Sequence, residues 1–252
     1  MSEETDPIIL VDGSSYLYRA YHALPPLMTS KNQPTGAIKG VISMIKRIRI
    51  DHPESPLAVV FDAKGKTFRH DMYSEYKGNR PPMPEDLVQQ IEPIHRIISL
   101  MGIKLIMISG VEADDVIGTL AEQARQKKLN TVISTGDKDM TQLVCDNVSV
   151  VNTMSGELLD ENGVEKKFGV GPELITDYLA LIGDKSDNVP GVDKVGPKTA
   201  VKWLNEYQNI EGIKENAESI GGKVGENLRS SLETLDLAYE LVTIKIDVPL
   251  EV

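Results

Sequence analysis

One cysteine, Cys145, stands in 252 residues. With nothing to pair with inside the chain, it excludes a disulfide framework and leads us to expect a reducing, cytoplasmic setting. No apolar run approaches the ~18 residues of a membrane span. The opening Met1–Asp6 is polar and acidic, without the basic and apolar regions of a secretory leader. No membrane partner is therefore expected. The four histidines, His22, His52, His70 and His95, lack ligand spacing, and Cys145 has no histidine arranged with it. None is assigned to catalysis. Repeats and low-complexity tracts are also missing. Positive charge is scarce: 27 Lys and Arg against 38 Asp and Glu give a net charge of −11. Taken alone, that disfavours a nucleic-acid partner. The inference weakens if many of the carboxylates share a metal site, because bound cations reverse their local effect.

What is present is a set of acidic residues at the ends of hydrophobic runs. Four short β-rich runs, Ile8–Val11, Leu57–Phe61, Leu105–Ile108 and Thr131–Ser134, are followed by Asp12, by Asp62, by Glu112, Asp114 and Asp115, and by Asp137 and Asp139. Asp184 and Asp187 close a later helix. The runs read as buried strands. Helices are expected at 36–50, 84–101, 113–128 and 138–144, so strands and helices alternate as in a mostly parallel α/β sheet. If the strands are parallel, their C-terminal ends share an edge, and the crevice outside that edge is where such folds bind ligands. Nine like charges brought together there need cations, and hard oxygen donors suit Mg2+ or Mn2+. Two such ions would promote in-line phosphodiester hydrolysis.

The stretch from about 64 to 84 interrupts the rhythm. Lys64, Lys66, Arg69, Lys77 and Arg80 alternate with Phe68, Tyr73 and Tyr76, supplying cations for phosphates and rings for unpaired bases. From about residue 170 the pattern becomes helical, with Gly and Pro punctuation, and Asn188–Ala200 has the form of a helix-hairpin-helix turn. There Gly191 and Gly196 allow close backbone approach to a phosphate, beside Lys194, Lys198, Thr199 and Lys202. Trp203 and the methionines read as core. The tail, Leu241–Ile246, resembles one more strand.

Several segments carry a resemblance: Leu10–Tyr21, Val60–Lys64, Tyr76–Pro82, Gly110–Val116, Ser134–Asp139 and Gly183–Gly191. In order and spacing they resemble the N-terminal 5′-nuclease domain of bacterial DNA polymerase I, within the flap endonuclease superfamily. The resemblance implies a PIN-like α/β core over residues 1–168, with an arch-like segment at about 64–84. Residues 169–252 would form a helix-hairpin-helix region that returns to the core. It implies removal of 5′ flaps and RNA primers from branched or nicked duplexes, leaving a 5′-phosphate.

In that reading Asp12, Asp62, Glu112, Asp114, Asp115, Asp137 and Asp139 build a first metal site. Asp137, Asp139, Asp184 and Asp187 are available to a second. Lys77 contacts the scissile phosphate, Tyr76 stacks on a base, and Arg80 with Arg19 steers the 5′ strand. The hairpin would clamp duplex with the help of K+. Partners implied are flapped DNA, RNA–DNA primer junctions and an attached or separate polymerase, with the chain itself monomeric. Where the family shows Pro-Gly in the hairpin, this chain has Asp193-Lys194, which removes an easy positive-φ position. The competing readings are a small-substrate phosphohydrolase, a non-catalytic junction-binding module and a PIN-type ribonuclease.

Overall fold

The computed structural model describes residues 6–152 and 156–250. Of the opening segment read above for a leader, residues 1–5 lie outside the described residues. In the α/β half, β1 (Ile8–Asp12) leads into α1 (Gly13–Ala23) and α2 (Gly36–Asp51), and β2 (Leu57–Val60) into α3 (Phe68–Met72) and α4 (Glu85–Leu100). β3 (Lys104–Ile106) precedes α5 (Ala113–Gln126), and β4 (Thr131–Ser134) precedes a 3-10 turn, Asp139–Leu143. β5 (Val148–Asn152) and β6 (Glu157–Leu159) complete a sheet ordered β3-β2-β1-β4-β5-β6, in which only the β5–β6 pairing is antiparallel.

Side chains alternate across this sheet and both faces are covered. Ile9 and Val11 pack with Ile45 of α2 and Ile94 of α4, whereas Leu10 joins Ile133, Ile117 of α5 and Leu179 on the other side. Near-continuous apolar strands follow from burial on two faces. The strand order also fixes where the site lies. The chain builds outward from β1 through β2 to β3, then returns to add β4 on the other side of β1. This reversal opens a crevice at the C-terminal ends of β1 and β4, where Asp12 and Asp137 stand.

The helical half comprises α6 (Glu161–Phe168), α7 (Ile175–Ile182), α8 (Pro197–Tyr207), α9 (Ile210–Glu215), α10 (Gly222–Ser230) and α11 (Leu232–Val242). The expected hairpin joins α7 to α8. Its legs touch at Gly183 and Gly191: a Cβ on either would lie 2.5 Å from the other's backbone nitrogen, and Gly183 has φ +67. Trp203 is buried, as expected of a core residue.

Four expectations change. The helix expected at 138–144 is a 3-10 turn. The strand expected in the tail does not form: Leu241 and Val242 end α11, and the next residues run as a strap bonded to side chains. With its backbone groups satisfied by Arg69, Asp115 and Gln142, the strap needs no sheet partner. Helix α1 and strands β5 and β6 were not anticipated. Finally, the 64–84 segment crosses the active edge without standing free. Lys77 N donates to Asp187 O at 2.8 Å, and Asn188 Nδ2 donates to Glu75 O at 2.8 Å. These bonds pin it to the turn after α7.

Candidate active site

Each carboxylate is placed by the end of an element. Asp12 ends β1 and caps α1, its Oδ1 accepting from Ser15 N at 2.9 Å and its Oδ2 from the Thr135 hydroxyl at 2.7 Å. Thr135 in turn accepts from Asp137 N at 2.9 Å, so one hydroxyl links the ends of β1 and β4. Asp62, after β2, accepts from Ala113 N at 2.8 Å, which ties it to the start of α5. Glu112 caps α5, and Asp114 and Asp115 sit in its first turn, where negative charge suits the helix dipole. Asp184 accepts from Ser186 N at 2.7 Å and pairs with Lys138 at 3.2 Å.

Eight of the nine line a single cleft of about 950 Å³, together with Lys77 and Arg80. Asp115 is the exception. It is fully buried, accepting from Arg69 Nη1 and Nη2 at 2.7 and 2.8 Å, from Glu112 N at 3.0 Å and from Lys245 N at 2.9 Å. Its oxygens therefore point away from the cleft's contents.

The electrostatics are those of crowded, partly desolvated anions. Burial, reinforced by Asp137 and Asp62, pushes the Asp12 carboxyl up to about 7. Burial with Asp137, Asp184 and Asp187 nearby pushes Asp139 up to about 8. Asp114 is raised well above the ordinary range by burial and by Asp137, Asp12, Asp62 and Glu112. Asp184 differs: its burial is outweighed by the Ser186 hydroxyl and Lys138, which hold it below the ordinary value.

Whether this donor set suits a divalent ion can be judged from its unmet demand. Asp139 Oδ1 is buried with no hydrogen-bond partner, which is costly unless something positive completes it. All the donors are hard oxygens. Among the described residues no three carboxylates converge tightly enough to enclose an ion by themselves. Three are drawn aside by protein cations: Lys77 Nζ lies 2.5 Å from Glu112 and 3.6 Å from Asp187, Arg80 also pairs with Asp187, and Lys138 pairs with Asp184. The residues fit a divalent metal, with modest side-chain movement.

The expected nucleic-acid contacts divide sharply. Lys77 has φ +54, a left-handed conformation that few non-glycine residues adopt. Its position is held by Asp187 O and Glu112. Arg80, Lys64, Lys66, Lys194, Lys198 and Lys202 are exposed, Thr199 is half-buried, and Arg19 is half-buried, donating to Asn152. Arg69 and Tyr76 correct the reading of the 64–84 segment, because neither is free to touch a strand. Arg69 is 2% exposed, and Tyr76 is 3% exposed with its hydroxyl on Glu112 at 3.0 Å. Phe68 and Tyr73 are half-buried, Phe68 lying beneath Arg69 and Lys245. In the hairpin, the space at Gly191 is filled by Gly183, whereas Gly196 opens to solvent at the start of α8. Lys194 takes φ +63, so the conformation persists although the glycine is gone.

Several residues in and around the cleft were missed. Tyr18 and His22, one turn apart on α1, line it, and Tyr18 is 40% exposed. Their i, i+4 spacing was the available signal. Thr135 gave none, since its role depends on two strands meeting.

Comparison with known proteins bears on the family and the fold. Residues 7–169 match the family described as 5′-3′ exonuclease, N-terminal resolvase-like domain, and residues 170–252 match 5′-3′ exonuclease, C-terminal SAM fold. The chain is 52% identical to DNA polymerase I of Pseudomonas aeruginosa, over 98% of this chain but 28% of that protein. It is 46% identical to a 5′-3′ exonuclease of Aquifex aeolicus, over 97% of this chain and 83% of that one. Among solved structures, T5 5′-exonuclease with bound zinc superposes with a TM-score of 0.77 at 24% identity, covering 93% of this chain and 88% of the other. The catalytic core of Rad2 with DNA gives a TM-score of 0.60 at 16% identity, covering 98% and 82%. These two likenesses concern the fold. With family models spanning both of its halves, the chain belongs to the 5′-3′ exonuclease family.

Proposed function

We propose that the chain is a structure-specific 5′ nuclease. It hydrolyses phosphodiester bonds at 5′ flaps and 5′ ends of branched or nicked duplex DNA, and removes RNA primers, leaving a 5′-phosphate. The observation that carries this reading is the meeting of eight carboxylates with Lys77 and Arg80 in one cleft, a short distance along the chain from a helix-hairpin-helix. Asp12, Asp62, Asp114, Asp137 and Asp139 would hold one Mg2+ or Mn2+, and Asp137, Asp139, Asp184 and Asp187 a second, with Glu112 at the margin. Such ions activate a water and offset charge building on the phosphate. Lys77, fixed in its left-handed turn, presents its ammonium to the scissile phosphate. Arg80 and Arg19 steer the 5′ strand, and Tyr18 offers the exposed ring that Tyr76 does not.

At the far end of the substrate, Gly196 and the start of α8, with Lys194, Lys198, Thr199 and Lys202, grip duplex phosphates without reading bases, aided by K+. In this reading the enzyme acts as a monomer. No described helix is long and apolar enough to cross a membrane. A free Cys145 suits the cytoplasm. The polymerase relative is more than three times as long as this chain, which leaves room for an attached or separate polymerase as partner.

A 5′-labelled flap duplex and a matched single strand, each with Mg2+ or with chelator, test the reading. Mg2+-dependent release of an intact flap at the junction is expected. Tight flap binding without cleavage in either Mg2+ or Mn2+ would instead favour a non-catalytic junction binder, and preferential cutting of single-stranded RNA would favour a PIN-type ribonuclease.

A further inference from the structure

At the buried wall of the cleft, Arg69 makes five hydrogen bonds. All three of its guanidinium nitrogens are engaged: Nε with Leu241 O at 2.8 Å, Nη2 with Thr243 O at 2.7 Å and Asp115 Oδ1 at 2.8 Å, and Nη1 with Asp115 Oδ2 at 2.7 Å and Glu112 Oε2 at 3.3 Å. The same two carboxylates hold the other side of the arrangement. Asp115 accepts from Lys245 N, while Glu112 accepts from Tyr76 and Lys77. A continuous chain of bonds therefore runs from the backbone of residues 241–245, through Arg69, to Glu112 and the ammonium of Lys77.

The strap has further anchors of its own. Gln142, at the end of the 3-10 turn after Asp139, donates to Val242 O at 3.0 Å and accepts from Ile244 N at 3.0 Å. Thr119 accepts from Val248 N at 3.1 Å. Gly118 lets the strap lie against α5, since a Cβ there would come within 2.6 Å of Ile244 Cγ2 and 3.1 Å of Lys245 O. Leu241, Val242 and Ile244 themselves line the cleft.

We infer that residues 241–248 form a positioning strap for the active site, and that Arg69 is the positioning residue joining the strap to Glu112 and Asp115. A buried cation with five bonds to two carboxylates and two carbonyls exceeds what attaching a tail requires. Its geometry fixes the first turn of α5, from which Asp114 projects into the cleft. It also fixes Glu112, which sets Lys77. Arg69 thus acts through other groups and touches no substrate. The inference rests on the nuclease reading of the cleft, and it extends that reading to a segment far in sequence from every cleft carboxylate.

The test uses the full chain with Arg69→Lys, which keeps the charge but loses the two-pronged pairing with Asp115, and Gly118→Ala, whose Cβ would press on Ile244 and Lys245 O and loosen the strap without touching Arg69 or a cleft carboxylate. Mn2+ affinity is measured by calorimetry, backbone amide exchange at residues 243–245 by mass spectrometry, and flap cleavage as separate kcat and KM. For both variants we expect faster exchange in the strap, Mn2+ affinity weakened by ~10-fold or more, a comparable fall in kcat, and KM for the flap unchanged. Faster strap exchange with unchanged Mn2+ affinity and kcat would overturn the inference, leaving the strap a structural staple. If Arg69→Lys fails to fold, Gly118→Ala decides on the same readouts. If the unaltered chain does not cut flaps but the variants still weaken Mn2+ binding, the strap stands and the nuclease reading falls.

Discussion

Two arginine–aspartate pairs, Arg69 with Asp115 and Arg80 with Asp187, lie on opposite sides of the same lysine-bearing turn, and they are built from identical chemistry. The side chains of the first are 3% and 0% exposed; those of the second are 48% and 18% exposed. Inside the protein the desolvation of both ions has already occurred, so neither partner can leave without stranding the other. At the cleft mouth, water screens both charges and the pair is worth little. The buried pair is therefore scaffolding, while the open pair is free to exchange, which under the proposed function would release Asp187 to a metal and Arg80 to a phosphate. Residue type alone does not separate these roles.

The sharpest break of this comparison is Asp115→Ala. It should lower unfolding free energy by about 3–5 kcal/mol in denaturant titration, against less than ~1 kcal/mol for Arg80→Ala. Equal losses would refute the division into scaffold and exchangeable pairs. Next in size is Asp139→Asn, which removes a carboxylate that forms no ion pair among the described residues and feels only the neighbouring positive charge of Lys138. Cleavage should fall on the order of 10²-fold or more, about 2.7 kcal/mol of barrier, with flap affinity in gel-shift assays nearly unchanged. Turnover at the normal rate would remove Asp139 from the site.

A third kind of buried carboxylate sharpens the contrast. Asp177 is 6% exposed and has a backbone donor, Ile210 N, but no cation, and burial pushes it up to about 6. Its folded value lies above the unfolded value, so the folded state binds the extra proton and stability declines as pH rises from about 4 through 6. Asp177→Asn should leave stability at pH 4 unchanged and raise it by ~1–2 kcal/mol at pH 8. A gain of equal size at both pH values would show that ionisation is not its source. The smallest effect concerns the hairpin. Lys194→Gly should stabilise by ~0.5–1 kcal/mol by relieving the left-handed lysine, while weakening duplex binding and flattening its salt dependence by about 0.9 in log–log slope. An unchanged slope would take Lys194 off the phosphates.

Much of this molecule is written locally. The apolar runs that became β1, β2 and β4, the helices α2, α4 and α5, and the acidic residues at the strand ends all depend on short-range patterns, and they appear where the chain places them. The hairpin between α7 and α8 was equally readable, because Gly and Pro punctuate it. The 64–84 segment was misread in part, since alternating cations and rings look the same whether they face solvent or a buried carboxylate. Arg69 and Tyr76 turned inward because Glu112 and Asp115, more than thirty residues away, offered them acceptors.

Sequence alone thus determined the composition of the active edge: which carboxylates exist, and that parallel strands would gather them. Tertiary structure decided which of them face the cleft, which cations are bound up in holding them, and that a tail resembling a strand would become a strap. The physical reason is that strand and helix patterns arise from neighbours a few residues apart, whereas burial, ion pairing and the satisfaction of backbone groups depend on partners that only the fold brings together.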